Sequence, residues 1–215
     1  MKLVFASNNA HKLAEVRAIM PEGIEVLSLR EIGFEQEIEE NGKTLEENSL
    51  IKAKTVCQWL IANGQQPIDG VFADDTGLEI DALGGEPGVY TARWYLLEPN
   101  AENPKLATEG EIFAANRAKA LRMLAGKENR GAQFRTVITL MKRSACSEQP
   151  SVLQVSGIVR GSIATEEYGQ GGFGYDPVFI PEGYDQTFGE LPAELKNTIS
   201  HRSRALQELV KKLIG

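Results

Sequence analysis

Two segments in the second half of the chain carry residues that together could bind a nucleotide. The first runs from Gly171 to Pro177, and its glycines permit positive φ or a close approach to a ligand. Phe173, on this loop, is suited to stack on a flat ring. The second segment contributes Lys196, His201 and Arg202, which are cationic or switchable donors for phosphate or a carbonyl edge. A stacking ring beside phosphate donors predicts a nucleotide site.

Two adjacent acids, Asp74 and Asp75, follow the apolar run from Gly70 to Ala73, which predicts a buried strand ending at these acids. Open α/β sheets bind ligands at the carboxyl ends of their strands. Neighbouring carboxylates repel each other unless a cation or donor compensates, and Mg²⁺ often uses one or two carboxylates together with substrate phosphates. Asp75 is therefore a candidate metal ligand. A turn in which both side chains cap backbone amides is the open alternative.

A third polar segment, Ser7 to Lys12, lies between an apolar run and a helical pattern, where backbone amides and the helix dipole could meet an anion. Ser7 and Asn8 add donors and Lys12 adds charge, although the segment lacks the glycine and Lys-Ser/Thr pair of a P-loop. An ordinary helix cap explains the same residues. His11 and His201 could both be surface histidines, but each lies at a turn-to-helix junction of this kind.

Thr44 and Glu47 have the spacing of a capping box before a helical pattern that extends to Ile61. A capping glutamate needs no ligand, yet one of its oxygens could still bind one. Asn48 and Lys52 fall opposite the apolar residues of this helix, where a solvated face is the default. These two side chains would have a function only if another part of the protein covered that face.

The elements that must position these residues alternate between strands and helices. A strand, turn, helix and strand over residues 3–29 predict a βαβ unit with parallel pairing. Further helices are predicted over residues 44–61, 112–124 and 200–213, and further strands over residues 134–141, 152–163 and 178–180. The pattern predicts an α/β fold in which a mixed, twisted central sheet is flanked by helices. We expect one domain over residues 1–215, with two lobes around a nucleotide-binding cleft.

The composition narrows the function. The chain has 215 residues, 42% of them hydrophobic, and a formal charge of -7, which argues against a protein that binds long nucleic acids. No apolar run approaches the ~18 residues of a membrane span, and the first residues lack a signal-peptide core. The two cysteines are widely separated, as is typical of a reducing compartment. We therefore expect a cytoplasmic protein with neither a nucleic-acid polymer nor a membrane as partner.

Six motifs resemble, in order, those of the inosine triphosphate pyrophosphatase family, whose members hydrolyse nonstandard purine nucleoside triphosphates. They are Ser7 to Lys12, Thr44 to Asn48, Ala73 to Leu78, Gly84 to Arg93, Gly171 to Pro177 and Lys196 to Arg202. The resemblance runs from end to end. It implies an elongated mixed α/β fold, a homodimer, and Mg²⁺-dependent conversion of dITP, ITP or XTP to monophosphate and pyrophosphate. The segment Trp94 to Ile112 is longer than the usual connection, and Trp94 stands where tyrosine is common.

The resemblance also implies a role for each motif residue. Asp75 would be the proton acceptor, and Glu47 and Asp75 would bind Mg²⁺. A carboxylate on Mg²⁺ loses basicity, so Asp74 or a metal-bound hydroxide could share the proton transfer. The residues expected to bind substrate are Ser7, Asn8, Asn9, Ala10, His11, Lys12, Lys52, Thr76, Phe173, Gly174, Tyr175, Asp176, Lys196, His201 and Arg202.

Within this set, the turn from Ser7 to Lys12 would bind the triphosphate, and Phe173 to Asp176, with Lys196, would bind the base and sugar end. His201 or Arg202 would donate to the 6-oxo group of hypoxanthine or xanthine and so disfavour adenosine, because a mispaired buried donor costs about 1–3 kcal/mol. Two alternatives stay open. One is a nucleotide sensor without turnover, and the other is a pyrophosphatase for modified pyrimidine or methylated nucleotides.

Overall fold

Alternating strands and helices build a sheet covered by helices, as the sequence predicts. The computed structural model describes residues 1–64, 67–98, 108–142 and 151–214. The helices are α1 (Ala10–Ile19), α2 (Leu45–Ala62), α3 (Glu109–Met123), α4 (Ala193–Ile199) and α5 (His201–Ile214). The strands are β1 (Lys2–Phe5), β2 (Glu25–Ser28), β3 (Gly70–Ile80), β4 (Pro87–Gly88), β5 (Gly131–Lys142), β6 (Val152–Ile163) and β7 (Phe179–Pro181).

The sheet is mixed. Its strand order is β2-β1-β3-β5-β6-β7, with β4 beside β3. Strand β1 is parallel to β2 and to β3, which confirms the predicted βαβ unit. Strands β4 and β7 run antiparallel to β3 and β6, respectively. The predicted mixed α/β fold is therefore confirmed.

The described residues fall into two compact units. Unit 1 comprises those within Met1–Asp75, Thr136–Gly157 and His201–Gly215. Unit 2 comprises those within Thr76–Arg135 and Ile158–Ser200. No helix in the described ranges combines the length and the apolarity needed to cross a bilayer.

Unit 1 has an apolar core on each face of its part of the sheet. Side chains of a strand alternate between faces, so neighbouring residues of β1 and β3 enter different cores. Phe5 and Phe72 pack with α5 and with Val16 of α1. Val4 and Val71 pack with α2 on the other face. This alternation fixes the direction in which the two acids that follow in β3 must point.

Unit 2 has one core, in which aromatic residues are prominent. The rings of Phe134 and Phe179 lie 4.7 Å apart between centroids, and Phe179 lies 5.4 Å from Phe188. Tyr175 and Trp94 are buried in the same cluster. Trp94 therefore contributes to the core of unit 2. Residues 99–107 of the long connection lie outside the described residues, as does Cys146.

The structure corrects the prediction that β3 ends before the acids. Strand β3 continues to Ile80, so Asp74 and Asp75 lie inside the strand and form neither its end nor a turn. The strand persists because β5 lies beside it in the sheet and β4 pairs with it at Leu78 and Glu79. The neighbouring β1, however, stops at Phe5, opposite Phe72. The acids therefore still lie just beyond the carboxyl end of a parallel strand, beside the turn that begins α1.

Helix α2 also departs from the predicted pattern. Asn48 and Lys52, assigned by default to a solvated face, are only 1% and 7% exposed, whereas Ile61, assigned to the apolar face, is 56% exposed. The burial arises because both polar side chains turn toward Asp75 of β3. The predicted end of the helix is confirmed, since Asn63 is its C-cap and Gly64 follows with φ 60°.

Two further boundaries differ from the sequence prediction. Helix α3 starts at Glu109, because Thr108 and Glu111 form a capping box that the sequence analysis did not identify. A separate short helix, α4, precedes α5 and carries Lys196. Helix α5 starts at His201, one residue after the predicted start at residue 200.

Candidate functional site

Asp74 and Asp75 point to opposite faces of β3, because they are neighbours in a strand. Asp74 follows Phe72 toward α1 and α5, whereas Asp75 follows Val71 toward α2. Each carboxylate is buried and accepts hydrogen bonds from cationic side chains on its own side. The two acids therefore occupy different surroundings and do not compete for one cation.

Asp74 is held by two cations. Its Oδ1 accepts a hydrogen bond from Lys12 Nζ at 3.0 Å, and its Oδ2 accepts one from Arg202 Nε at 3.0 Å. Arg202 also donates to Glu15 of α1. Burial alone would raise the pKa of the Asp74 carboxyl, but Lys12, Arg202 and Lys52 together hold it far below its usual range. Asp74 is therefore a permanent anion with both oxygens engaged.

The pKa of the Lys12 ammonium is lowered, mainly by burial and further by the positive charges of Lys52 and Arg202, while Asp74 opposes the shift. The pKa of Arg202 is raised instead, because the attraction of Asp74 and Glu15 outweighs the effect of its burial. Lys12 is the more exposed of the two cations on Asp74, because its side chain is 17% exposed and that of Arg202 only 2%. That property suits a group that must meet an additional anion.

Asp75 has a different set of partners. Its Oδ1 accepts from Lys52 Nζ at 3.2 Å, and its Oδ2 accepts from Asn48 Nδ2 at 3.2 Å. Lys52 Nζ also donates to Glu40 Oε2 at 2.8 Å. Burial raises the pKa of the Asp75 carboxyl and Glu40 adds to the rise, against the opposing charges of Lys52 and Lys12. Of the two acids, Asp75 is therefore the better proton acceptor.

The turn from Ser7 to Lys12 is an N-cap. Asn9 Oδ1 accepts from the Lys12 backbone N–H at 3.0 Å, and Ser7 Oγ accepts from the Asn9 N–H at 3.2 Å. This confirms the helix-cap interpretation of the segment. Asn8, Ala10 and His11 are exposed. The turn therefore offers solvent-facing groups at a helix N-terminus, with the Lys12 side chain directed to Asp74.

Glu47 caps α2, but the predicted capping box is only half formed. Thr44 Oγ1 accepts from the Glu47 N–H at 3.1 Å, as expected. The Glu47 carboxylate accepts from the Lys43 N–H at 2.5 Å, one residue earlier than the Thr44 N–H of a standard box. Glu47 is exposed, while the next residue, Asn48, donates to Asp75. The cap thus places one carboxylate beside a residue that contacts Asp75.

In unit 2, Asp176 organises the glycine-rich loop. Its Oδ2 accepts from the Phe173 backbone N–H and from Lys196 Nζ, both at 2.7 Å. Lys196 Nζ also lies 4.9 Å from the centroid of the Phe173 ring, within the range of a cation–π contact. The loop, its aromatic ring and the buried ammonium group therefore form one cluster.

The residues beside Phe173 support this loop. The Gly174 carbonyl accepts from Arg117 Nη1 at 2.9 Å, and the Tyr175 hydroxyl donates to the Thr91 carbonyl at 3.2 Å. Tyr175 is buried in the core of unit 2, and this burial raises the pKa of its hydroxyl, which stays protonated. Tyr175 thus anchors the loop, whereas Phe173 is only partly buried.

Gly172 is a position where a side chain would break the cluster. Its φ is +73°, and a Cβ built there would lie 2.0 Å from Asp176 Oδ2. Gly183 has φ +87° with nothing within 4 Å of such a Cβ. Alanine at either position carries about 1 kcal/mol of backbone strain. At Gly172, loss of the Asp176 contacts should add roughly 1–3 kcal/mol to the destabilisation.

We therefore expect Gly172→Ala to lower the thermal midpoint of the protein by several degrees more than the matched control Gly183→Ala, as measured by differential scanning calorimetry. Equal midpoints for the two variants would contradict the packing of Asp176 against the loop.

The predicted site residues are divided between the two units. Unit 1 contains the turn from Ser7 to Lys12 together with Glu47, Lys52, Asp74, Asp75, His201 and Arg202. Unit 2 contains Thr76, Phe173, Gly174, Tyr175, Asp176 and Lys196. The structure brings Lys196 to Phe173, as expected from the two sequence segments. Arg202, predicted at the base, has its described contacts with Asp74 and Glu15 in unit 1, and His201 is buried at the start of α5.

Three residues of these clusters are not predicted from the sequence. Glu15 lies three residues after Lys12 on α1, a spacing that places both on one helix face and could have suggested a shared partner. Arg117 gave no separate signal within the pattern of α3. Glu40 lies in a polar stretch without periodicity, and only the folded chain brings it to Lys52.

Comparisons with known proteins agree with the motifs. A sequence model of the Ham1 family matches residues 3–212. The chain is 44% identical over 210 residues to the dITP/XTP pyrophosphatase of Flavobacterium johnsoniae, covering 98% of this chain and 96% of that protein. It is 43% identical over 213 residues to the dITP/XTP pyrophosphatase of Bacillus subtilis, covering 98% and 96%.

Solved structures show the same relationship. The Ham1 protein of Staphylococcus aureus superposes with a TM-score of 0.79 at 34% identity, covering 99% of this chain and 98% of that one. The HAM1 protein of Coxiella burnetii gives a TM-score of 0.79 at 35% identity, covering 99% and 98%. The family resemblance predicted from the six motifs is thus confirmed over nearly the whole chain, and the protein is a member of the Ham1 family.

Proposed function

We propose that this protein hydrolyses nonstandard purine nucleoside triphosphates, namely dITP, ITP and XTP, to the monophosphate and pyrophosphate. The names of its full-length relatives support this activity. The observation that carries the proposal is the arrangement around Asp75, a buried carboxylate held by Lys52 and Asn48, with Glu40 on the same lysine. A protein that only binds a nucleotide has no need of a buried carboxylate set that can accept a proton.

The triphosphate would bind at the turn that begins α1. The exposed groups there include backbone at a helix N-terminus, which favours anions. Lys12 would add positive charge, because its side chain, at 17% exposed, is the more accessible of the two cations on Asp74. Phosphoryl transfer depends mainly on positioning and on neutralising phosphate charge, so these groups would lower the barrier to attack on phosphorus.

A divalent cation would bind at Asp75, and the donor set fits Mg²⁺. Mg²⁺ prefers oxygen ligands and is commonly held by one or two carboxylates, with substrate phosphates completing its shell. The described residues contain no group of three or more His, Cys, Asp or Glu that could hold a metal alone, which agrees with a site completed by the substrate. Bound Mg²⁺ would neutralise phosphate charge and stabilise the leaving pyrophosphate.

The second carboxylate for the metal has two candidates. Glu47 is the ligand that the family resemblance implies, and its carboxylate accepts a hydrogen bond from the Lys43 N–H at the cap of α2. Glu40 is the ligand that the geometry indicates, because Lys52 Nζ binds both the Glu40 and the Asp75 carboxylate. We propose Glu40 for this role, since its carboxylate is already directed to the Asp75 cluster. The assignment of Glu47 stays a competing prediction.

Asp75 would accept the proton of the attacking water together with the effect of Mg²⁺, because a carboxylate on Mg²⁺ loses basicity and the metal itself favours loss of that proton. Asn48 and Lys52 hold one oxygen each and so orient the carboxylate. Asp74, whose pKa is held far below its usual range by Lys12, Arg202 and Lys52, would keep these cations in place and would not take the proton. This division gives the adjacent acids different roles, as their opposite directions in β3 suggest.

The base would be bound by residues of unit 2. Phe173 would stack on the purine, and Lys196, bound to Asp176 at 2.7 Å, would lie beside the ring. Thr76, Gly174, Tyr175, Asp176 and His201 keep the substrate-binding roles that the family resemblance implies. The role of Arg202 at the base stays a competing prediction, because its guanidinium binds Asp74 and Glu15. The homodimer and the cytoplasmic location also stay predictions.

Phosphorus NMR of a reaction with ITP and Mg²⁺ tests the reaction type. We expect the resonances of inosine monophosphate and pyrophosphate to appear together in equal amounts. Inosine diphosphate with orthophosphate would show cleavage at the other phosphoanhydride bond and would overturn the proposal. An unchanged ITP spectrum would favour the sensor alternative.

A further inference from the structure

Four charged side chains connect α1, β3 and α5 within unit 1. Lys12 and Glu15 are on α1, Asp74 is on β3 and Arg202 is on α5. The Arg202 side chain is 2% exposed and Asp74 1%, while Lys12 and Glu15 are 17% and 14% exposed. A buried guanidinium must be compensated by carboxylates, because an unpaired buried charge costs several kcal/mol. Asp74 supplies one such carboxylate and Glu15 supplies the other.

The contacts form a closed ring of alternating charge. Lys12 Nζ binds Asp74 Oδ1 and Arg202 Nε binds Asp74 Oδ2, each at 3.0 Å. Arg202 Nη1 in turn donates to Glu15 Oε2. Lys12 and Glu15 are three residues apart, so they lie on one face of α1, and the helix backbone closes the ring. With two cations and two anions, the ring has no net charge.

The Glu15 charge bears on how the two oxygens of Asp74 are divided between Lys12 and Arg202. With Glu15 present, Arg202 divides its charge between two carboxylates, and Asp74 keeps one oxygen for Lys12. Without the Glu15 charge, Asp74 alone would have to compensate the buried guanidinium. Asp74 would then move toward Arg202 and release the Lys12 ammonium. Lys12 is also tied to the turn through the bond from its N–H to Asn9, so the geometry at the N-terminus of α1 depends on this ring.

We propose that Glu15 is a positioning residue that, through Arg202 and Asp74, fixes the Lys12 ammonium where it binds the triphosphate. The identity of the anion rests on the proposed function. The ring predicts that loss of Glu15 weakens binding of the phosphates and leaves recognition of the base unchanged. A purely structural ion pair would instead affect the stability of the protein and leave its affinity for phosphates at the wild-type value.

The test measures binding of inorganic tripolyphosphate by isothermal titration calorimetry, which needs neither base nor turnover. We expect Glu15→Gln to raise the Kd about tenfold, the effect of weakening one charge-assisted hydrogen bond. Glu15→Asp keeps the negative charge and should bind tripolyphosphate with most of the wild-type affinity. It is the second variant to measure if Glu15→Gln does not fold. The matched control is Glu31→Gln. The Glu31 carboxylate binds Arg17, another residue of α1, at 2.6 Å on the surface, and its loss should leave the Kd unchanged.

Two further results are expected. The double variant Lys12→Met with Glu15→Gln should bind tripolyphosphate no more weakly than Lys12→Met alone, because Glu15 acts through Lys12. In turnover assays, Glu15→Gln should raise the KM for ITP by about the same factor as the Kd and should also lower kcat, because Lys12 would neutralise phosphate charge during the attack. The ratio of kcat/KM between ITP and ATP should stay at the wild-type value.

Wild-type affinity of Glu15→Gln for tripolyphosphate would overturn the proposal, as would additive effects in the double variant. A changed ratio between ITP and ATP would assign the ring to base recognition and would also overturn it. Failure of the wild-type protein to bind tripolyphosphate would do the same. Absence of ITP hydrolysis by a wild-type protein that binds tripolyphosphate would refute the proposed function and leave this test of Glu15 intact.

Discussion

Asp75→Asn is expected to reduce pyrophosphate release from ITP by about 10³-fold or more, the scale on which loss of a proton acceptor and charged ligand slows an enzyme. Asparagine has nearly the shape of aspartate, so packing beside Asn48 should be preserved. It cannot accept a proton at neutral pH, and it no longer neutralises Lys52. The measurement is kcat for pyrophosphate formation at saturating ITP and Mg²⁺.

The matched control is Asp81→Asn. The Asp81 carboxylate binds Arg160 at 2.7 Å in a pair whose side chains are 46% and 37% exposed, and the change should leave kcat within about twofold of wild type. Circular dichroism and the thermal midpoint establish that both variants fold. An Asp75→Asn protein that folds and keeps a tenth or more of the wild-type rate would exclude Asp75 as the proton acceptor.

Glu40→Gln is expected to raise the Mg²⁺ concentration needed for half-maximal rate by about 10- to 100-fold, the effect of losing one carboxylate near a metal. Its carboxylate shares Lys52 with Asp75, so glutamine would both remove a ligand and leave Lys52 with less compensation. The measurement is a Mg²⁺ titration of pyrophosphate release at fixed ITP.

Glu47→Gln separates the two candidates for the second ligand. Glutamine can still accept from the Lys43 N–H, so the cap of α2 should persist. We expect the Mg²⁺ concentration that Glu47→Gln needs for half-maximal rate to stay within about threefold of wild type, since interactions of an exposed charged side chain contribute little. The reverse pattern, with a large shift for Glu47→Gln and none for Glu40→Gln, would restore the assignment implied by the family resemblance.

The fold of the first 64 residues follows closely from sequence. Apolar runs and helical periodicity predict β1, α1, β2 and α2, and Asn63 with Gly64 marks the end of α2. These elements depend on local signals such as caps and periodicity, which a single sequence carries. The six motifs also predict the family, because their order and spacing are specific even where each motif alone is weak.

The surroundings of the acids could not be predicted in the same way. The sequence Asp-Asp-Thr-Gly is typical of a turn, and β3 extends through it because β5 and β4 lie beside it in the sheet. Likewise, the polar face of α2 is that of a solvated helix until Asn48 and Lys52 meet Asp75. These contacts join residues at least 23 positions apart, and periodicity within one helix or strand carries no information about them.

The partners of Arg202 show the same limit. Its place in a motif with Lys196 and His201 predicts a role at the base, and the motif does bring Lys196 to Phe173. The structure places the Arg202 guanidinium against Asp74 and Glu15, residues 128 and 187 positions away. Sequence proximity thus grouped residues that belong to different units of the fold.

The most direct test of the proposed function is the ratio of kcat/KM between nucleotides, measured as pyrophosphate released by the wild-type protein with Mg²⁺. The panel consists of dITP, ITP and XTP against ATP and GTP, with a modified pyrimidine and a methylated nucleotide for the remaining alternative. We expect each of the first three to exceed ATP and GTP by about tenfold or more. Equal values for ITP and ATP, or a preference for the modified pyrimidine or methylated nucleotide, would contradict the proposed function.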